Sequence, residues 1–350
     1  MSKHIYILGA GCSVDSGVPL MNGFLQRSED ISRSGRAGKF SKEFEMVLKG
    51  RMALTNTHSK SSSIDVHNLE AVFSAFEMAK LLGKLDGFSA EELDQFPDMY
   101  KGVIGRTIET GQQFVREGST LKAPRSYDTF ANLIKQRLKN DISIITFNYD
   151  VGLDYALHSK GVRIDYALPG SPPSDIKLLK LHGSIHWAAD GTDIRALDFG
   201  SAVARGRYDL QPRNEAEPTT FEICSALGQP LGTKSYPVIV PPTWNKSDYH
   251  SAIANVWRAA ARELSTAEHI YVIGYSLPRT DQFFHLLFAL GTQSSSTILR
   301  RVIVVNPDVK AGKRVNSGLG TQTQGLFEYY EKDFDQCLHE VELRSRVFPA

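Results

Sequence analysis

The sequence predicts an α/β fold built on a parallel sheet with helices on both faces. Three observations carry that expectation. Five short apolar runs, Ile5–Leu8, Ile142–Phe147, Leu178–Leu181, Ile270–Ile273 and Val302–Val305, are rich in Ile and Val and do not alternate with polar residues. Runs of this kind suit strands buried on both faces. Several end at small or polar residues, Gly9, Asn148, His182, Gly274 and Asn306, and open α/β sheets bind ligands beyond the carboxyl ends of their strands. Finally, the first run enters Gly9-Ala10-Gly11-Cys12-Ser13-Val14-Asp15-Ser16-Gly17-Val18-Pro19, a strand, a glycine turn and a helix start. That order builds dinucleotide phosphate sites, so the sheet is expected to be Rossmann-like. The spacing departs from the usual fingerprint, because the third glycine is Gly17. The bland reading of the turn is a sharp bend with no ligand.

Bulk composition narrows the function classes. The 350 residues, 41% hydrophobic and 23% charged, suit a soluble globular protein with a real core. Lys and Arg number 40 against 39 Asp and Glu, so no global field draws nucleic acid or anionic lipid, and direct nucleic-acid binding is not indicated. Cys12, Cys224 and Cys337 lie far apart, with no CxxC pair. That spacing fits a reducing, cytoplasmic setting and offers no four-cysteine zinc module, so no metal is expected. The chain enters its first strand without a signal peptide, and no stretch reaches the roughly 20 apolar residues of a membrane helix.

A single domain over residues 1–350 is expected, with three additions to the sheet. Residues 20–138 read as a mostly helical insertion. Leu69, Val72, Phe73, Phe76 and Ala79 share one helical face in it, as do Phe130, Leu133, Ile134 and Leu138. Ser28–Lys42 and Thr55–Ser63 read as loops. Residues 188–235, polar and glycine-punctuated, read as an irregular surface insertion. Val238–Val240 is a candidate sixth strand. Residues 320–350 read as a C-terminal helical segment, with a helix between Phe327 and Val341.

Chemistry gathers at the strand ends. Thr146-Phe147-Asn148-Tyr149-Asp150 closes the second run. Asn148 offers a donor and an acceptor for a ribose hydroxyl or a water, and Asp150 can accept from a carboxamide or hydroxyl. Equally, both are ordinary caps for a helix starting near Val151. In Lys180-Leu181-His182-Gly183-Ser184-Ile185-His186-Trp187, His182 can act as a general base near neutral pH, or be a satisfied structural histidine. His186 is a secondary candidate. Gly274-Tyr275-Ser276-Leu277-Pro278-Arg279-Thr280-Asp281 repeats the pattern of run, glycine and hydroxyl. There Ser276 can bond a phosphate or ribose, and Asp281 reads as a cap. Asn306 and Asp308 can reach an adenosine ribose. Trp244 offers a stacking wall or, more simply, core packing.

Together these motifs resemble the sirtuin superfamily over roughly residues 4–310. GAGCSVDSGVP is similar to its first phosphate loop, TFNYD to its Thr-x-Asn-x-Asp motif, LHGS to its His-Gly motif, and GYS and VVN to its adenosine-side motifs. The chain departs where sirtuin deacylases carry four zinc cysteines, having only Cys224 there, and Leu20-Met21-Asn22 and Phe147 replace the usual Asp-Phe-Arg and Gln. The wording TFNYD, KLHGS, VPPTW and GYSLPRTD resembles the zinc-free prokaryotic branch of antiphage NAD+ hydrolases. The resemblance implies NAD+ as substrate, without a metal. Gly9, Ala10, Gly11 and Ser13 would bind the pyrophosphate, and Asn148 the nicotinamide ribose or a water. Asp150 would face the nicotinamide end, His182 the ribose hydroxyls, and Ser276 and Asn306 the adenosine side. Asn148 and His182 are the expected catalytic pair.

Other readings of the same residues are a non-catalytic sensor of an NAD derivative, a structural subunit and, less in keeping with the missing cysteines, a protein deacylase. An unrestrained NAD+ hydrolase would kill its host. The expected partners are therefore further copies of the chain, or a separate defence protein such as a nucleic-acid-acting ATPase, nuclease or sensor.

Overall fold

A computed structural model of the chain describes residues 2–58, 64–171, 174–190, 193–206, 216–224, 236–240, 253–277, 282–291, 299–320 and 323–349. The chain opens with β1 (Lys3–Leu8) and a short 3-10 turn, Ala10–Ser13. Four helices follow: α1 (Met21–Arg33), α2 (Ser41–His58), α3 (Leu69–Leu82) and α4 (Ala90–Gly111). Next come β2 (Phe114–Glu117), β3 (Thr120–Lys122), α5 (Arg125–Lys135), β4 (Asp141–Thr146), α6 (Gly152–Ser159), β5 (Ile164–Asp165) and β6 (Ile176–Lys180). The strands β7 (Trp187–Asp190), β8 (Asp193–Ala196), β9 (Val203–Gly206) and β10 (Ala216–Glu222) precede α7 (Ala254–Ser265). The remainder is β11 (His269–Ile273), α8 (Gln282–Gly291), β12 (Arg301–Val305), α9 (Val309–Gly318), β13 (Phe327–Tyr330), α10 (Phe334–His339) and α11 (Val341–Val347).

These elements form two compact units, one of Met1–Ser16, Ser119–Gly183 and Ile253–Ala350, the other of Gly17–Gly118 and Ser184–Ala252. The first unit holds a seven-stranded sheet in the order β13-β12-β11-β1-β4-β6-β5. Every strand pair in it is parallel. All five apolar runs singled out in the sequence are strands of this sheet. Leaving out the two-residue edge β5, the strands read in chain order as 3-2-1-4-5-6, the doubly wound order of dinucleotide folds. The order reverses between β1 and β11, which makes their carboxyl ends the switch point.

Both sheet faces are covered. Tyr6, Leu8, Ile142, Ile144, Ile176, Leu178, Tyr271, Ile273, Ile303 and Val305 pack with Tyr127, Phe130 and Ile134 of α5, Leu153 and Leu157 of α6, and Phe334, Leu338 and Val347 of the C-terminal helices. The alternate residues face α7. There Glu263 accepts a hydrogen bond from Ser143 at 2.7 Å and pairs with Lys177 at 2.9 Å and with Lys3. Burial opposes the charge on Glu263, but the bonds from Lys177, Lys3 and Ser143 outweigh it and hold the carboxyl below its ordinary range.

Residues 327–330 form a strand, where the sequence reading had a helix beginning. Phe327-Glu328-Tyr329-Tyr330 is aromatic and half-buried, and it adds in parallel to β12, so pairing at the sheet edge outweighs helix propensity. The helices α10 and α11 follow it. Val238–Val240 contributes only an isolated bridge at Ile239.

The second unit contains α1–α4. Leu69, Val72, Phe73, Phe76 and Ala79 are the buried face of α3, and Asn68 caps that helix by accepting from the backbone N–H groups of Glu70 and Ala71. A capping box between Ser89 and Glu92 starts α4. Phe130 and Ile134, read with this insertion in the sequence, belong to the sheet-bearing unit. Within residues 188–235 the described portion carries β8, β9 and β10, with β10 antiparallel to both β2 and β9. Phe221, Ile223 and Cys224 there are buried.

Two stability effects follow. Glu263→Gln removes the carboxylate shared by Lys177 and Lys3, while Lys3 keeps Asp141, and is expected to cost about 2 kcal/mol in urea unfolding at neutral pH. The contribution of Glu263 is present above the ordinary carboxylate range and is lost as pH falls through its lowered value. Next to Lys3 at the start of β1, His4 stacks on His269 with ring centroids 4.9 Å apart. Burial, then the neighbouring His269, push the His4 pKa down to about 4. Unfolding lets it bind a proton at its ordinary value, so stability should fall as pH drops from about 6.5 toward 4. His4→Asn should flatten that slope by about 2 kcal/mol.

Candidate functional site

The site is built at the switch point, from backbone first. The backbones leaving β1 and β11 pass with no side chain between them. Gly9 N–H donates to the Ile273 carbonyl at 3.0 Å, and Gly11 N–H donates to the Gly274 carbonyl at 2.9 Å. A methyl group on Gly9 would strike the Tyr275 backbone, and one on Gly11 would lie 2.8 Å from Gly274 Cα. Gly274 has a φ of +62°, a left-handed conformation that glycine adopts at little cost. The sequence reading gave Gly9 and Gly11 the job of admitting a pyrophosphate; their smallness is used for this internal crossing. Ala10, at the crest of the turn, is exposed. Cys12 is buried and donates to the Ile273 carbonyl at 3.2 Å, and burial pushes its thiol well above the usual range.

Beneath the turn lies a polar cluster. Ser13, 1% exposed, donates to Asp150 Oδ2 at 2.6 Å. Its oxygen is 2.6 Å from the hydroxyl of Tyr127 and 2.9 Å from Asn148 Nδ2. Asn148 Nδ2 also donates to the Gly9 carbonyl at 2.9 Å and lies 3.2 Å from the Tyr127 hydroxyl. Asp150, 3% exposed, accepts with Oδ1 from the Gly152 N–H at 3.0 Å, at the start of α6. The capping and site-building readings of Asp150 therefore both hold, but its carboxylate supports Ser13 instead of facing outward. The Ser13 hydroxyl is likewise engaged inside the cluster. Below them Lys180 Nζ binds the Asp150 carbonyl at 2.6 Å and Asp154 Oδ2 at 2.9 Å.

His182 stands beside a group of rings. Its imidazole meets Phe147 edge-on, with centroids 5.2 Å apart, and lies 6.1 Å from the Tyr149 ring. Phe147 stacks on Tyr275 at 4.3 Å, and Tyr275 flanks Gly9. The rings on either side of Asn148 in sequence thus carry contact to His182. The residue is partly exposed, with the Nε2 edge of its imidazole buried.

On the β12 side the side chain of Asn306 is engaged within the fold. Asn306 is buried. Its Nδ2 donates to the Tyr275 carbonyl at 3.1 Å and its Oδ1 accepts from Asp308 N–H at 2.8 Å, so it ties two strand ends together. Asp308 caps α9 by accepting from Lys310 N–H at 2.9 Å, and Arg314 pairs with it at 3.2 Å. Ser276 is half-buried, with its carbonyl accepting from Arg314 at 2.7 Å. The next residue, Leu277, has a φ of +45°, which is strained for a side chain of that size. His186 belongs to the other unit, buried, with Nδ1 2.8 Å from the Ser184 hydroxyl. Trp244 and Asp281 lie outside the described residues.

Tyr127 is the member that sequence reasoning missed. It is 1% exposed, and burial, followed by the nearby Asp150, pushes its phenol well above the usual range. Its only sequence signal is its place one residue after Ser126 in the first turn of α5. The apolar face drawn from Phe130 onward did not include it.

No protein-family model matches the chain, and no curated protein matches it. Solved structures that align with it include a Sir2 homologue in complex with NAD, at 15% identity and a TM-score of 0.40, covering 99% of this chain and 91% of that one. A mutant Sir2 homologue with 2′-O-acetyl ADP-ribose also aligns at 15% identity and 0.40, covering 99% and 94%. A further mutant Sir2 homologue with ADP-ribose aligns at 14% identity and 0.37, covering 100% and 95%. Among the described residues no helix is long and apolar enough to cross a membrane, and no group of three or more His, Cys, Asp or Glu is placed to hold a metal ion.

Gly9→Ala is expected to destabilise the protein by about 2–3 kcal/mol, because the added methyl meets rigid backbone. Chemical unfolding in the absence of any nucleotide measures this. A glycine kept only for ligand approach would show no such loss.

Proposed function

We propose that this chain is an NAD+ hydrolase that releases nicotinamide and an ADP-ribose-type product, with water as the nucleophile. The observation that supports this most is the setting of Asn148. Its amide is pinned to the Gly9 carbonyl at the switch point of a doubly wound sheet, and its sequence neighbours Phe147 and Tyr149 contact His182. The leaving pyridinium already carries positive charge, so its departure needs no strong acid. The transition state resembles an oxocarbenium ion, as in glycoside hydrolysis. What remains for the protein is to hold the ribose, steady positive charge at its anomeric carbon and place a water.

In this reading Asn148 holds the nicotinamide ribose or the water. His182 contacts the ribose hydroxyls and takes up a proton. The exposed crest at Ala10 meets the pyrophosphate, and Ser276 lies on the adenosine side, framed by the strand ends that Asn306 joins. Ser13 and Asp150 are inside the support of the site. We further read the chain as an effector of antiphage defence by NAD+ depletion, acting in the cytoplasm. Restraint comes from self-association or from a separate partner protein.

The test is nicotinamide release from NAD+, followed by chromatography, for wild type, Asn148→Ala and His182→Ala. Each variant is expected to lose about 10²–10⁴-fold in rate, as when a positioned acid–base group is removed, while staying folded at the assay temperature. Full turnover by either folded variant overturns its assignment. Binding of NAD+ without release of nicotinamide would favour a sensor, and consumption only with an acyl-lysine peptide a deacylase.

A further inference from the structure

We propose that Tyr127, Ser13 and Asp150 form a hydrogen-bond relay that holds Asn148 with its carbonyl oxygen toward the ligand, so that the group bound there is a hydrogen-bond donor. The identity of that donor, a water or a ribose hydroxyl, rests on the functional reading above. The relay itself rests on local geometry.

The direction of each bond is forced. A carboxylate oxygen only accepts, so Ser13 donates its single hydroxyl proton to Asp150 Oδ2. Ser13 Oγ then has only lone pairs to offer, and the Tyr127 hydroxyl, 2.6 Å away, must be the donor between them. Tyr127 is kept protonated, since its burial pushes the phenol well above its usual range. Having donated to Ser13, the Tyr127 oxygen can only accept. Asn148 therefore faces three acceptors on its inner side: the Gly9 carbonyl at 2.9 Å, Ser13 Oγ at 2.9 Å and the Tyr127 oxygen at 3.2 Å. Only the amide nitrogen suits that corner. Turned over, Asn148 would set Oδ1 against three oxygens.

Oδ1 is consequently the outward end, and it takes no hydrogen bond from the described residues. An acceptor there attracts an O–H or N–H donor, a water or a ribose hydroxyl in the proposed reaction, and repels a phosphate oxygen or a carbonyl. Tyr127 touches no ligand in this arrangement. It is a positioning residue that acts through Asn148.

The full chain carrying Tyr127→Phe, Asp150→Asn or both tests the relay. Asp150→Asn keeps its size and an oxygen for the Gly152 cap but presents N–H to Ser13, which reverses the relay. Each single variant should lose about 10²-fold in kcat through misplacement of Asn148, with KM held within about two-fold. The double variant should be no slower than the worse single one. Unchanged kcat, losses that multiply, or losses carried by KM overturn the proposal. A readout without turnover is the urea-unfolding cycle of Tyr127→Phe and Asn148→Ala. A relay makes the two losses overlap, and independent losses overturn it. If the wild type consumes no NAD+, the functional reading falls and the unfolding cycle alone decides the relay.

Discussion

Everything at the candidate site depends on two backbones crossing without side chains between them. At the ends of β1 and β11, Gly9 and Gly11 bond to the Ile273 and Gly274 carbonyls. This crossing occurs where the strand order reverses, so the chain departs to opposite sides of β1 just where a crevice is expected. It also fixes the Gly9 carbonyl in space. That carbonyl accepts from Asn148, and Asn148 in turn meets Ser13 and Tyr127. A rigid, glycine-only contact therefore sets the position of a polar cluster that no single strand could hold alone.

The cluster is costly to leave incomplete. Ser13, Tyr127 and Asp150 are almost wholly shielded from water. A buried polar group that loses its partner costs about 1–3 kcal/mol, and more when it is charged. Networks of this sort are stable when every member is satisfied and weak when one is missing. The same argument applies to Lys180, Asp154 and the Asp150 carbonyl one layer deeper. Layered support is what a site needs to hold a side chain to a fraction of an ångström. The energy invested lies in parts that touch no ligand.

Much of the fold was legible in the sequence, because its signal is local. Five strands announced themselves as Ile/Val runs, since burial on both faces leaves no polar positions. The two edge strands did not. Ile164–Asp165 is too short to show a pattern, and Phe327–Tyr330 is half-exposed and aromatic. At the site, position was legible and direction was not. A polar residue at a strand end can serve a ligand, a helix start or a neighbouring strand, and sequence does not choose between them. Asn306 and Asp308 went to strand linkage and capping, and Asp150 to both a cap and Ser13. Tyr127 was illegible for a different reason. It meets Ser13 from 114 positions away, and nothing local marks a tyrosine in a helix's first turn as a hydrogen-bond partner.

One short segment reconciles the polar and aromatic halves of the site. Neighbouring side chains in an extended stretch diverge, so Phe147-Asn148-Tyr149 can serve two surroundings at once. Asn148 joins the hydrogen-bonded cluster, while Phe147 and Tyr149 set their rings by His182. In the NAD+ hydrolysis we propose, positive charge passes from the pyridinium to the anomeric carbon, and the pairing suits that transfer. A fixed carbonyl dipole steadies charge more effectively when it does not have to reorganise. Ring faces attract cations without offering a competing nucleophile. Phe147 packs edge-on against His182, so an apolar ring occupies one side of the imidazole. In the proposed reaction the ring of Phe147 offers no nucleophile of its own, which suits attack by a placed water.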